Sequence, residues 1–204
     1  MNYLHKARHL AVFLLAILAP TTAAVPAPQA LASMVTGAVT SKPIGHYEFC
    51  RTNANECNQR FTSKPAPKLT PEGWALIASV NVSVNERIQA MTDREIFGRE
   101  EVWTYPKDVG DCEDYALEKR RELAAKGFSL SDLLITVVRK PDGEGHAVLT
   151  VRTAQGDFIL DNLDRQVKPW YETSYTFLKR QASFNTGRWV SIENGRDVVV
   201  GALR

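Results

Sequence analysis

Gly110-Asp111-Cys112-Glu113-Asp114-Tyr115-Ala116 is the stretch on which the reading of this chain turns. Asp111 is a good helix N-cap, and Ala116, Leu117, Leu123 and Ala124 continue an apolar stripe from it. Lys126-Gly127 supplies a C-terminal stop. The spacing therefore predicts a helix with Cys112 in its first turn. Unpaired amide protons and the positive end of the helix dipole lie there, and both favour thiolate over thiol. Asp111, Glu113 and Asp114 oppose this, because nearby carboxylates raise a thiol pKa. An imidazolium, a bound cation or both must offset them.

The other cysteines decide what Cys112 can be. The 204-residue chain has three, and Cys50 and Cys57 enclose the polar stretch Arg51-Thr52-Asn53-Ala54-Asn55-Glu56. The chain begins as an exported protein does. Lys6 and Arg8 precede an apolar run, Leu10 to Ala19, followed by Pro20 and small residues with candidate cleavage points after Ala24 and Ala32. A run of this length falls short of the roughly 20 residues that span a bilayer. Residues 1–32 read as a signal peptide, residues 33–45 as a flexible lead-in, and residues 46–204 as one exported domain. Loss of Lys6 and Arg8 takes the formal charge from +2 to zero, which removes any electrostatic case for nucleic-acid binding. In an oxidising compartment Cys50 and Cys57 can form a disulfide. A partial metal site is the alternative, weakened by the lack of a second ligand pair at zinc spacing. Cys112 is left as a reactive thiol or an intermolecular partner.

Working outward, Thr70-Pro71 is a cap and first helical residue. Trp74, Ile77, Val80, Val84, Ile88 and Met91 recur at helical spacing behind it. Asn81 and Asn85 share a face beside that stripe, as partners of the loop before Cys112 or as a solvated edge. Residues 93–109 read as irregular, and Trp103 there suits either a substrate groove or the core. Downstream, Leu133–Val138 and Ala147–Arg152 flank the turn Pro141-Asp142-Gly143-Glu144-Gly145, and Phe158–Asp161 follows Ala154-Gln155-Gly156. His146 opens the second strand and Asp161 ends the third, so antiparallel pairing puts them on one face, a few residues apart along the ladder. Cys112, His146 and Asp161 form a candidate nucleophile–base–orienter set. The alternatives are a surface histidine beside a turn and an aspartate capping one.

Three separated blocks carry a family resemblance: Gly110–Ala116 with Lys119-Arg120, then Gly145-His146-Ala147-Val148-Leu149, then Leu160-Asp161-Asn162-Leu163. With flanking matches they resemble the bacterial transglutaminase-like cysteine proteinases, whose LapG-type members are periplasmic proteases. The resemblance spans roughly residues 46–192. It implies an α+β, papain/transglutaminase-like fold, with the helix carrying the nucleophilic Cys packed on an antiparallel sheet carrying His and Asp. It also implies a Cys112–His146–Asp161 triad. Calcium held by Asp111 and Glu113 follows from the same resemblance, and carboxylate oxygens suit that ion. A further implication is endoproteolysis of a large exported adhesin, in biofilm control, under an inner-membrane regulatory receptor. An acyl transferase or deamidase shares the chemistry up to the thioester. A catalytically silent binding module is the third class, and the intact Cys, His and Asp argue against it.

Overall fold

The computed structural model describes residues 32–195. The signal peptide assigned to residues 1–32 falls outside this range in all but its last residue. The elements run β1 (Thr36–Thr40), α1 (Ile44–Thr52), α2 (Ala54–Cys57), α3 (Pro71–Arg87), β2 (Gln89–Ala90), α4 (Asp93–Phe97), β3 (Val109–Gly110) and α5 (Cys112–Ala125). Then come β4 (Leu133–Arg139), β5 (Gly145–Thr153), β6 (Gly156–Leu160), β7 (Lys168–Pro169), a 3-10 turn (Trp170–Glu172), β8 (Thr176–Ala182) and β9 (Asn185–Ile192). A seven-stranded sheet has the order β1-β9-β8-β4-β5-β6-β7, and its pairs are antiparallel. β2 and β3 form a short parallel pair.

The sheet is covered on both faces, which explains strands as apolar as Leu133–Val138. Leu133, Ile135, Leu149, Val151 and Leu160 face one cluster with Ile77, Val80, Val84, Leu117 and Leu123 of α3 and α5. Val138, Val148, Ile159, Trp170, Phe177 and Ile192 make a second cluster. α5 packs on β4 and β5, with α3 against it. This buries α5 almost all round, from Glu113 to Arg120.

α3 starts where its cap and proline predict, with the Thr70 hydroxyl accepting from the Gly73 amide at 3.1 Å. Two expectations need correction. Residues 33–45 are not a loose lead-in: β1 pairs with β9, and the buried Asp157 carboxylate accepts from the Met34 amide at 2.8 Å and from Arg180 at 2.9 Å. These partners are more than a hundred residues away for Met34, so the local sequence carries no sign of them. The stretch 93–109 holds α4, closed by a capping box in which the Thr92 side chain meets the Glu95 amide and the Glu95 side chain meets the Thr92 amide.

Cys50 and Cys57 are joined by a disulfide. It links α1 to α2 rather than the ends of a bare loop. Closing so short a loop in the unfolded chain is worth about 2.5 kcal/mol on the chain-entropy account. With both sulfurs bonded to each other, neither is a ligand for the metal alternative. His46 lies against them, 2% exposed, and accepts from the Trp189 indole at Nδ1, 3.1 Å away. Burial, helped by the positive charges of Lys42 and Arg120, pushes its pKa down to about 3. The unfolded chain then takes up a proton near pH 6.5 that the folded chain refuses until about pH 3. Stability from this residue is therefore full above pH 6.5 and falls as pH drops through that window, by up to about 1.4 kcal/mol per pH unit. Urea titrations at pH 7 and pH 5 should show it as a difference between wild type and His46→Gln, which keeps an acceptor for Trp189 but does not titrate. Equal pH sensitivity in both would contradict the assignment.

Candidate active site

Gly110 ends β3 and turns directly into α5. An added Cβ at Gly110 would sit 2.8 Å from the Asp114 carboxylate, so a larger residue there would displace the Asp114 side chain. Cys112 is the first residue of α5 and is the free cysteine among the described residues. The backbone N–H of Ala147 on β5 is turned toward its sulfur and favours the thiolate, and the thiol donates to Glu113 Oε2 at 3.1 Å. Burial pushes the thiol pKa up, and the Glu113 and Asp111 carboxylates add to it. The dipole advantage of the first turn is therefore outweighed here.

His146 and Asp161 meet as their shared face predicts. The ladder pairs Leu149 with Leu160, so Asp161 continues opposite residue 148, one diagonal step from His146. His146 Nε2 lies 2.8 Å from Asp161 Oδ1. Burial works against ionisation of Asp161. Hydrogen bonds from His146, from the Tyr175 hydroxyl at 2.5 Å and from the Leu163 amide at 3.0 Å more than offset it, and hold the carboxyl below its ordinary pKa. With Nε2 engaged, Nδ1 is the His146 nitrogen left for proton exchange. His146 and Cys112 line one cleft of about 490 Å³ with Ile44, Trp103, Gly145 and Ala147.

The asparagine pair of α3 acts on a different loop from the one anticipated. Asn85 Nδ2 donates to the Asp161 carbonyl at 2.8 Å, and Asn81 Nδ2 to the Asp164 carbonyl at 2.9 Å. They fix the backbone that carries Asp161, not the loop before Cys112. Trp103 is 6% exposed within the core cluster and also lines the cleft. Lys119 lies two turns along α5 from Cys112, fully buried with its Nζ unbonded. Burial lowers its pKa to about 7, against the pull of Asp161.

Beside the cysteine, Asp93, Asp111 and Glu113 bring carboxylate oxygens within 4.8 Å of one another. Asp93, from α4, was not anticipated; no motif around it marks a ligand. Its Oδ2 accepts from the Val102 amide at 2.5 Å, and burial raises its pKa. Asp111 holds the N-cap position but makes no side-chain cap bond. Its carboxyl is turned instead toward the Asp93 amide and the Glu113 carboxyl. Burial and the Glu113 charge push Asp111 up to about 8, and burial also raises Glu113. Asp114, whose Oδ1 accepts from the Thr104 amide at 2.8 Å, is pushed by burial up to about 7. Asp93 Oδ1 and Asp111 Oδ1 are buried with no donor. Two unbonded carboxylate oxygens inside an all-oxygen set fit a hard cation. Asp93, Asp111 and Glu113 could hold one.

Residues 36–197 match the family model described as bacterial transglutaminase-like cysteine proteinase, BTLCP. Among solved structures, calcium-bound LapG of Legionella pneumophila is similar at 24% identity, over 65% of this chain and 76% of that one, with a TM-score of 0.51. The EGTA-treated LapG of the same organism is similar at 26% identity, over 62% and 70%, with a TM-score of 0.50. No curated protein sequence matches the chain.

Proposed function

The chain belongs to the bacterial transglutaminase-like cysteine proteinase family and is a cysteine peptidase, and we propose that it is an exported, calcium-dependent endopeptidase working through Cys112, His146 and Asp161. The observation that carries this reading is the His146–Asp161 hydrogen bond, in a cleft that His146 shares with Cys112. His146 Nδ1 takes the thiol proton while Asp161 holds the ring through Nε2 and stabilises the imidazolium. The sulfur attacks the scissile carbonyl. The Cys112 amide, at the first helical position, has no intrahelical acceptor and is available to the oxyanion. His146 then returns the proton to the leaving amine, and an acyl-thioester on Cys112 is hydrolysed by water.

Glu113 stands in the way of the first step, because it accepts the Cys112 proton at 3.1 Å and competes with His146. A calcium ion bound by Asp93, Asp111 and Glu113 would supply the positive charge that this acid cluster lacks. Glu113 engaged in ligation would no longer accept the thiol proton, and the carboxylates would no longer raise the pKa of Cys112. The calcium-bound and EGTA-treated states named for the Legionella relative support this reading.

The N-terminal pattern, the disulfide and the family together support a periplasmic enzyme acting on an exported protein, in the first place a large surface adhesin under a membrane-bound regulator. Incubation with an exported adhesin of the same cell, followed by N-terminal mapping of the fragments, tests it. One new N-terminus is expected. An intact chain that gains the mass of an amine probe on glutamine would instead establish the acyl-transferase reading.

A further inference from the structure

β5 is a paired strand along most of its length and an open edge at one end, and the open end lies in the cleft. On its inner side β5 pairs with β4 along its length, with His146 opposite Val138 and Gly145 opposite Arg139. The Lys140 amide donates to the Glu144 carbonyl at 2.9 Å, so the even-numbered residues of β5 direct their main-chain groups toward β4. The odd-numbered residues, Gly145 and Ala147 included, direct theirs the other way. β6 occupies that side only as far as Leu149, opposite Leu160. Beyond it the chain turns away toward Asn81 and Asn85. The Ala147 N–H is turned toward the Cys112 sulfur. The N–H and C=O of Gly145, one two-residue step of about 7 Å further along, face the same way and have no partner strand.

Two more observations mark this position. Gly145 lines the cleft that contains Cys112. A Cβ added to it would meet no atom within 4 Å, so neither packing nor a turn requires glycine there. Gly145 opens β5, and the absence of a side chain there leaves room for another backbone to approach closely.

We propose that an extended stretch of the substrate polypeptide joins the sheet as an added strand at the open edge of β5, exchanging main-chain hydrogen bonds with the N–H and C=O of Gly145. The proposal rests on the peptidase reading above and adds how the substrate is held. Ala147 fixes the sulfur and Gly145 fixes the peptide on one strand, so the scissile carbonyl is presented to Cys112 in register. Recognition by main-chain groups requires a substrate segment that is extended and unpaired when it enters, such as a linker or an unfolded stretch, and excludes cleavage inside a helix.

The test compares two reagents that alkylate Cys112. Acetyl-Ala-Ala-Ala chloromethyl ketone offers a peptide backbone with minimal side chains, and its chloride leaves as the thiolate attacks. Iodoacetamide offers no backbone to pair. In the wild-type protein, replacing each backbone amide of the ketone in turn by an ester should slow alkylation about tenfold at the one N–H that pairs with Gly145. Gly145→Leu should slow the peptidyl reagent by about tenfold or more while leaving the iodoacetamide rate unchanged. The proposal is overturned if no ester analogue is slower and the peptidyl reagent modifies Gly145→Leu as fast as wild type, with Cys112 still reacting with iodoacetamide. A wild-type Cys112 inert to both reagents would overturn the nucleophile reading and the strand pairing with it.

Discussion

Cys112→Ala is expected to lower cleavage of a protein substrate by about 10⁴-fold or more, since removing a covalent nucleophile leaves only binding and oxyanion stabilisation. The fold should survive. Cys112 is only partly buried, and its sulfur contacts are one backbone N–H and the Glu113 carboxyl. Circular dichroism and the unfolding midpoint of the variant should match wild type while fragment release disappears. If cleavage persists at more than a few per cent, another residue is the nucleophile. Among the described residues no other cysteine is free, because Cys50 and Cys57 are bonded to each other. Persistence would therefore remove cysteine catalysis altogether.

The second large effect is expected from calcium. The Cys112 thiol is pushed up from an ordinary value of 9.0 by burial and by Glu113. At pH 7 fewer than about one molecule in a hundred then carries a thiolate. A chelator should accordingly suppress activity by about two orders of magnitude, and added calcium should restore it. The dependence on pH has a definite sign. Asp111 is pushed up to about 8, so below that pH the metal-free site holds a proton that ligation must expel. The calcium concentration giving half activity should rise as pH is lowered from 8 and level off above it. Asp93→Asn should raise that concentration without preventing activity at saturating calcium, since Asp93 does not touch the thiol. Activity indifferent to chelation would remove the cation from the account and leave the pKa of Cys112 unexplained.

The parts of this molecule legible in its sequence are those whose determinants are local. Thr70-Pro71 announces α3, and the run from Cys112 to Lys126-Gly127 announces α5. The glycine turns at 143 and 156 place β4, β5 and β6 in order. Period-two logic then puts His146 and Asp161 on one face, and the ladder shifts them by one diagonal step. The remaining elements are held by distant partners. β1 is tied down by β9 and by Asp157, far along the chain. β8 and β9 lie in a sheet covered on both faces, so alternation of polar and apolar residues, the usual strand signal, is weakened. Asp111 has the sequence of a cap, yet the pull of the Asp93 amide and the Glu113 carboxyl takes its side chain elsewhere. Asp93 itself carries no signal beyond the Thr92–Glu95 capping box, which marks a helix start and not a ligand.

The acid cluster has a consequence for the order of events in the cell. On the proposed reading, the metal-free enzyme is expected to keep its fold, held by the two hydrophobic clusters, while the Cys112 thiol stays hydrogen-bonded to Glu113. An unchanged unfolding midpoint in the presence of chelator would separate cation binding from folding, unlike a structural metal site whose loss unfolds the domain.

Peptide-bond cleavage by this mechanism requires a covalent acyl group at Cys112. Rapid acid quenching of the calcium-loaded enzyme during turnover of a cleaved protein, followed by peptide mapping by mass spectrometry, reads it directly. The prediction is a hydroxylamine-labile adduct on the peptide containing Cys112, equal in mass to the N-terminal product fragment less water. Undiminished cleavage with Cys112 unmodified at every quench time would contradict it.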